Sequence, residues 1–134
     1  MTFGPTDTGL RLADPSVLNT AITSQTQLGY AQAQVALGTN QATALVIGSS
    51  QPVFEVSTTA SGTGVQLPIS SAGKRQFIAN HGAQTLTVYT NTGEIPASPK
   101  INATAGATGV TLATNTNGLY MCATPGQWYE IQGT

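Results

Sequence analysis

Apolar and polar residues alternate in short runs from residue 42 onward, and residues typical of turns separate these runs. Alternation with a period of two is the pattern of a β-strand whose two faces have different surroundings. Leu86 and Val88, for example, alternate with Thr85, Thr87 and Tyr89, which predicts that one face lies in a core. The pattern predicts eight strands, over residues 42–47, 52–58, 64–69, 74–80, 85–90, 110–114, 118–124 and 127–132.

Eight strands without a long amphipathic helix predict an all-β fold, a single jelly-roll or β-sandwich domain over residues 39–134. Two turn sequences fit this fold. Asn117-Gly118 can adopt positive φ at both central positions of a tight hairpin, and Pro125-Gly126 suits a type II turn. The last three predicted strands would then form an antiparallel meander.

The segments between strands are predicted to be turns and loops. Pro96 and Pro99 interrupt any strand between residues 94 and 100, so we predict a loop there that points Ile95 and Ile101 inward. The glycine-rich segments 62–64 and 106–109 precede predicted strands and lack the lysine of a phosphate-binding loop. We interpret both segments as turns.

Residues 1–38 show no sustained period, and we predict that they form an extended arm and linker. Asp14-Pro15-Ser16 places an N-cap before a proline at the first helical position, which predicts one short helix over residues 15–22. Residues 25–37 fit two structures, because Ala and Gln favour a helix whereas Ala31, Ala33, Val35 and Leu37 alternate. We favour a strand over residues 30–37.

Composition limits the partners that the surface can attract. Only 7% of the 134 residues are charged and the net charge is −1, against about 25% charged residues in an ordinary domain. Such a chain cannot generate the field that steers nucleic acid or a charged membrane, so we expect neither as a partner. The N-terminus has no signal-peptide pattern and no apolar run is long enough to span a bilayer. A neutral surface rich in hydroxyls and amides is easily desolvated, which favours contacts with protein.

Few residues are candidates for chemistry. Cys122 is the only cysteine, so neither an intrachain disulfide nor a cysteine-based metal site is predicted, and we expect it to be buried. His81 lies between Asn80 and Gly82 with no carboxylate nearby in sequence, which predicts an exposed turn histidine; a hydrolase that uses it is our third hypothesis. Lys74 and Arg75 would point to opposite faces of an edge strand. We predict no catalytic residues, no cofactor and no metal.

Several short motifs follow one another in a characteristic order over residues 39–132. They are Gly64-Val-Gln-Leu-Pro68, Ala72-Gly-Lys-Arg-Gln-Phe-Ile-Ala-Asn80, Gly82-Ala-Gln-Thr-Leu-Thr-Val-Tyr89, Gly93-Glu-Ile95 and Gln127-Trp-Tyr129. This order resembles small β-sandwich virion structural proteins of tailed bacteriophages, of the capsid decoration (cement) or head-fibre type. The resemblance implies a non-enzymatic protein.

The resemblance implies a cement protein that binds the major capsid protein and stabilises the head shell from the outer surface of the virion, after synthesis in the bacterial host cytoplasm. It also implies self-association as a dimer or trimer. The arm would lie across neighbouring shell subunits and add contacts at a sheet edge. Its predicted interface residues are apolar: Phe3, Leu10, Leu12, Val17, Leu18 and Ile22. The alternative is a fibre or adhesin module of the virion that binds a host surface glycan through exposed aromatic residues.

Overall fold

The computed structural model describes residues 29–95 and 97–133, which form two β-sheets. A single turn of 3₁₀ helix, Gln41–Thr43, follows the first strand. The strands in chain order are β1 (Tyr30–Val35), β2 (Leu45–Val46), β3 (Val53–Thr58), β4 (Gly64–Gln66), β5 (Arg75–Asn80), β6 (Leu86–Tyr89), β7 (Lys100–Ile101), β8 (Thr104–Ala105), β9 (Val110–Leu112), β10 (Thr116–Thr124) and β11 (Gln127–Gly133).

The first six strands alternate between the two sheets. Sheet A has the order β1-β3-β5-β10-β11-β7-β8 and sheet B has the order β2-β4-β6-β9. Within each sheet these six strands are parallel to one another. The chain passes through sheet A and then sheet B before it returns, so paired residues are far apart in sequence: Tyr30 pairs with Val53, and Val65 with Val88, each 23 positions later. This winding suggests a β-solenoid of three coils rather than a jelly roll, whose strands are antiparallel. The all-β prediction is confirmed.

The last strands close sheet A in an antiparallel arrangement. β10 lies between β5 and β11 and is antiparallel to both. Gly126 has φ +84° in the connection from β10 to β11, so the predicted turn at Pro125-Gly126 is confirmed. The hairpin predicted at Asn117-Gly118 is wrong, because both residues lie inside β10. The meander is wrong as well, since β9 pairs with β6 in sheet B.

The predicted runs contain nearly all the longer strands. β3 to β6 and β9 lie within them, β10 and β11 extend past them by one or two residues, and β2 occupies the second half of the run 42–47. β1 confirms the strand interpretation of residues 30–37, and its pairing with β3 brings the chain into sheet A ahead of the domain boundary predicted at residue 39. The sequence did not predict β7 and β8, which have two residues each. The helix predicted at 15–22 and the six apolar residues of the arm lie outside the described residues.

One hydrophobic core lies between the sheets and draws on both. Leu86 and Val88 are fully buried, as their alternation predicted, and Ile101 is buried as well. Ile95 is 83% exposed, so its predicted inward orientation is wrong. The reason is that Glu94, the preceding residue, takes the inward position: its carboxylate accepts hydrogen bonds from the backbone N–H and the hydroxyl of Ser70 at 2.9 and 2.6 Å.

Candidate protein-binding surface

The face of sheet A that points away from the core carries a row of apolar side chains. Val53 pairs with Phe77, Phe77 with Leu119, and Leu119 with Ile131, so that four adjacent strands place these side chains side by side. None of the four is buried, and Ile131 is 58% exposed. We call Val53, Phe77, Leu119 and Ile131 the central row. Strands are spaced about 4.8 Å apart, so the central row is roughly 14 Å long.

Two further rows flank the central row, each displaced from it by two residues along the strands. On one side, Met121 pairs with both Arg75 and Tyr129, which gives a row of large side chains. On the other side the side chains are mostly small and include one carboxylate. We call Arg75, Met121 and Tyr129 the large row, and Glu55, Ala79, Asn117 and Gly133 the small row. The three rows lie on β3, β5, β10 and β11, and we call them together the outer face of sheet A.

On β5 and β11, apolar residues point to the outer face although several inward positions are polar. Gln76 and Asn80 of β5 point inward and are buried, whereas Phe77 between them points outward. The side-chain nitrogen of Gln76 donates to the backbone oxygen of Gln51 at 2.8 Å, so the buried amide is satisfied. Apolar residues at both the odd and the even positions of a strand indicate that both of its faces are covered. β10 shows this signal, with Leu119 and Met121 on one face and Tyr120 and Cys122 on the other.

An ion pair lies at one margin of the outer face. His81 Nδ1 is 2.7 Å from Oε2 of Glu55, although 26 residues separate the two in sequence. His81 is exposed, as predicted, but a carboxylate partner was not predicted. Within residues 29–95 and 97–133, the Glu55 carboxylate is the side-chain partner of His81.

The prediction that Lys74 and Arg75 lie on an edge strand is wrong. β5, which begins at Arg75, lies in the interior of sheet A, because the parallel strand β3 covers one of its edges and the antiparallel strand β10 covers the other. Arg75 is exposed on the outer face and Lys74 is partly buried just before the strand. Arg75 is therefore a charge on a broad face and not a charge that protects a sheet edge.

Three buried polar atoms lie on the inner side of β10 and β11. Tyr120 Oη, Trp128 Nε1 and Glu130 Oε1 have no hydrogen-bond partner among the described residues. Burial, and then the neighbouring Glu130 carboxylate, raises the pKa of Tyr120 well above its usual range. The buried Tyr120 side chain is a neutral phenol at physiological pH.

Cys122 is buried and free, as predicted. Burial raises the pKa of its thiol, the neighbouring Ser70 hydroxyl lowers it, and the Glu94 charge raises it. The net effect is upward, which keeps the thiol protonated and unreactive. Ser70 itself accepts a hydrogen bond from the backbone N–H of Gly126 at 2.7 Å and donates to Glu94, so this cluster ties the β10–β11 turn to two loops.

A shallow depression of about 460 Å³ lies among the loops around β7 and β8. Its polar side chains include Asn91, Glu94 and Lys100, but it contains no aromatic ring on which a sugar could stack. Glycan binding through aromatic rings requires that they be exposed; Tyr89, Tyr120 and Trp128 are buried and Tyr129 is exposed. Of these four residues, Tyr129 is thus the one that reaches the outer face of sheet A.

The described residues contain no group of three His, Cys, Asp or Glu side chains that could hold a metal ion. In the same part of the chain, no helix has the length and apolarity to cross a membrane.

Comparisons of the chain with family models, with curated proteins and with solved structures find no match.

Proposed function

We propose that the protein is a non-catalytic structural subunit that acts by binding other proteins. In its specific form, the proposal is a capsid decoration protein of a tailed bacteriophage that binds the major capsid protein and stabilises the head shell. The specific form rests on the order of motifs between residues 64 and 129, which resembles small virion proteins.

The single observation that carries the general proposal is the outer face of sheet A. Six apolar side chains lie together there on four neighbouring strands, and Ile131 and Tyr129 are about half exposed. Contiguous exposed apolar surface of this kind is typical of protein interaction sites. The sparse charge of the chain supports the same proposal, because few charged groups would have to be desolvated on binding.

The arm remains part of the proposal. A rigid two-sheet body joined to an arm with apolar side chains could hold two neighbouring shell subunits at once. After the body has bound, the arm contact becomes intramolecular, with an effective concentration of roughly millimolar. The residues proposed for this contact are Phe3, Leu10, Leu12, Val17, Leu18 and Ile22.

The test mixes purified full-length protein with head shells that lack it, prepared from the phage that carries its gene. We expect electron microscopy to show regular added density on the shells. We also expect that deletion of residues 1–22 leaves a folded body, checked by circular dichroism, that occupies the shells at least tenfold less at equal concentration. Shells that stay bare at saturating full-length protein would contradict the capsid proposal, and full occupancy by the truncated chain would contradict the role of the arm.

A further inference from the structure

We propose that the partner at the outer face of sheet A is a second copy of this chain, packed face to face about a two-fold axis that runs along the central row. This inference deepens the proposed function, because it names the occupant of the surface on which that function rests. Under this rotation the three rows are complementary in side-chain size and in charge.

The two flanking rows are complementary in size. A two-fold rotation about the central row places the large row of one copy on the small row of the other. The partner's Met121 then lies over Asn117, and the partner's Tyr129 lies over Gly133, which has no side chain. Each flanking row is two residues, about 7 Å, from the axis, so both pairs of rows meet at the same time. An isologous interface requires this self-complementarity of one surface.

The charges follow the same rotation. The partner's Arg75 lies over Ala79, which is the register neighbour of Glu55. In the dimer, Glu55 of one copy therefore lies roughly 5 Å, about one strand spacing, to the side of the partner's Arg75. Within one copy, Arg75 and Glu55 are four residues apart along the strands and one strand apart across them, roughly 14 Å. Arg75 and Glu55 of one copy are thus too far apart to pair with each other, whereas Glu55, which contacts His81 within its own copy, can also meet the partner's Arg75.

The central row meets its own copy at the axis. Val53, Phe77, Leu119 and Ile131 would bury their exposed parts against the same residues of the partner, as the inner faces of two packed sheets do. The three rows cover less area than the roughly 800 Å² per partner of a standard interface. We therefore expect a reversible dimer with a Kd in the micromolar range.

The first experiment measures the association state of the full-length chain by sedimentation velocity over a concentration series. We expect wild type to form dimers, and Leu119→Glu or Ile131→Glu to weaken dimerisation at least tenfold. Val46→Glu is the matched control for Ile131→Glu, because both residues are apolar and more than half exposed and Val46 lies in sheet B. Circular dichroism verifies that each variant is folded. A wild-type chain that stays monomeric, or a Val46→Glu variant that dissociates as readily as the other two, would overturn the inference.

A charge exchange tests the axis itself. Arg75→Glu and Glu55→Arg should each weaken the dimer several-fold, and the double variant should restore it to within about threefold of wild type, since the exchanged charges meet again across the axis. Glu55→Gln removes the carboxylate charge beside His81 without introducing a positive charge and serves as the control for that loss. If the double variant loses as much dimer affinity as the two single variants together, this placement of one copy on the other is excluded.

The outcomes separate this inference from the proposed function. If the Leu119→Glu variant is monomeric and still occupies shells, capsid binding does not require the dimer, and the capsid proposal holds for the monomer. A wild-type monomer that binds shells would overturn the inference alone. Dimerisation with the expected charge rescue, together with bare shells, would support the inference and contradict the capsid proposal.

Discussion

At the scale of single residues, Gly118 provides space for the ring of Tyr120. A Cβ atom at Gly118 would lie 2.8 Å from Tyr120 Oη and 2.9 to 3.0 Å from two ring carbons. The buried phenol therefore lies along β10 over the glycine, whose backbone is an ordinary strand. The requirement for glycine here comes from packing and not from the positive φ that the Asn117-Gly118 sequence predicted.

We predict that Gly118→Ala lowers the free energy of unfolding by about 1 to 3 kcal/mol, because the added methyl forces a fully buried ring to move. Denaturant unfolding followed by circular dichroism measures this change. The control is Gly48→Ala, where the added methyl meets the flexible side chain of Gln51, and it should change stability by less than about 0.5 kcal/mol. Equal effects of the two substitutions would contradict the packing role of Gly118.

The sequence predicted individual residues well where a local pattern decides their environment. Leu86, Val88 and Cys122 are buried because strand parity points them into the core. The partner of His81 could not be predicted in this way, since Glu55 reaches it only through the pairing of β3 with β5. Contacts between distant residues depend on strand register, which one strand's pattern does not contain.

At the scale of elements, β5 is joined to its surroundings through the side chain of Asn80. Asn80 Nδ2 donates to the backbone oxygens of Gln84 and Leu112 at 2.9 and 3.0 Å. Its Oδ1 accepts from the Thr59 hydroxyl at 2.8 Å and from the Gly82 N–H at 3.0 Å. One fully buried amide thus connects the end of β5 in sheet A with the end of β9 in sheet B.

We predict that Asn80→Ala lowers the free energy of unfolding by about 3 kcal/mol. The substitution removes several buried hydrogen bonds and leaves their partners without one, at about 1 to 3 kcal/mol for each unsatisfied group. Thermal and denaturant unfolding measure the change. Gln84→Ala is the control, because Gln84 contributes its backbone oxygen to the network and that oxygen is retained. A loss below 1 kcal/mol for Asn80→Ala would show that water replaces these bonds at no cost.

Period-two alternation predicted the positions of the strands but not their neighbours. Pairing between β1 and β3, or between β4 and β6, joins segments more than 20 positions apart, and neither strand's composition identifies its partner. β7 and β8 have two residues each, too few for a period to be visible. The outer face was missed for a related reason: Phe77, Leu119 and Ile131 become one surface only after three strands are placed in register.

At the scale of the whole molecule, the three parallel coils and the antiparallel hairpin β10–β11 share one core. Register partners 23 positions apart, such as Tyr30 with Val53 and Val65 with Val88, reflect the length of a coil. That spacing was the sequence signal for a solenoid, but the coils share no obvious motif that would reveal it. The low charge of the chain can be read from its composition. The positions of its exposed apolar residues on one surface follow only from the fold.

The shared core predicts that the two sheets unfold together. Leu86 belongs to sheet B, and the only tryptophan, Trp128, belongs to sheet A; both are fully buried in the same cluster. We expect Leu86→Ala to lower the free energy of unfolding by about 2 to 4 kcal/mol. The loss should be equal by Trp128 fluorescence and by circular dichroism, because cooperative unfolding gives one transition for all probes. Val46→Ala, at an exposed position of sheet B, should change stability by less than about 0.5 kcal/mol. Fluorescence that keeps its wild-type midpoint while the circular dichroism midpoint falls would mean that sheet A is stable without sheet B, against a single core.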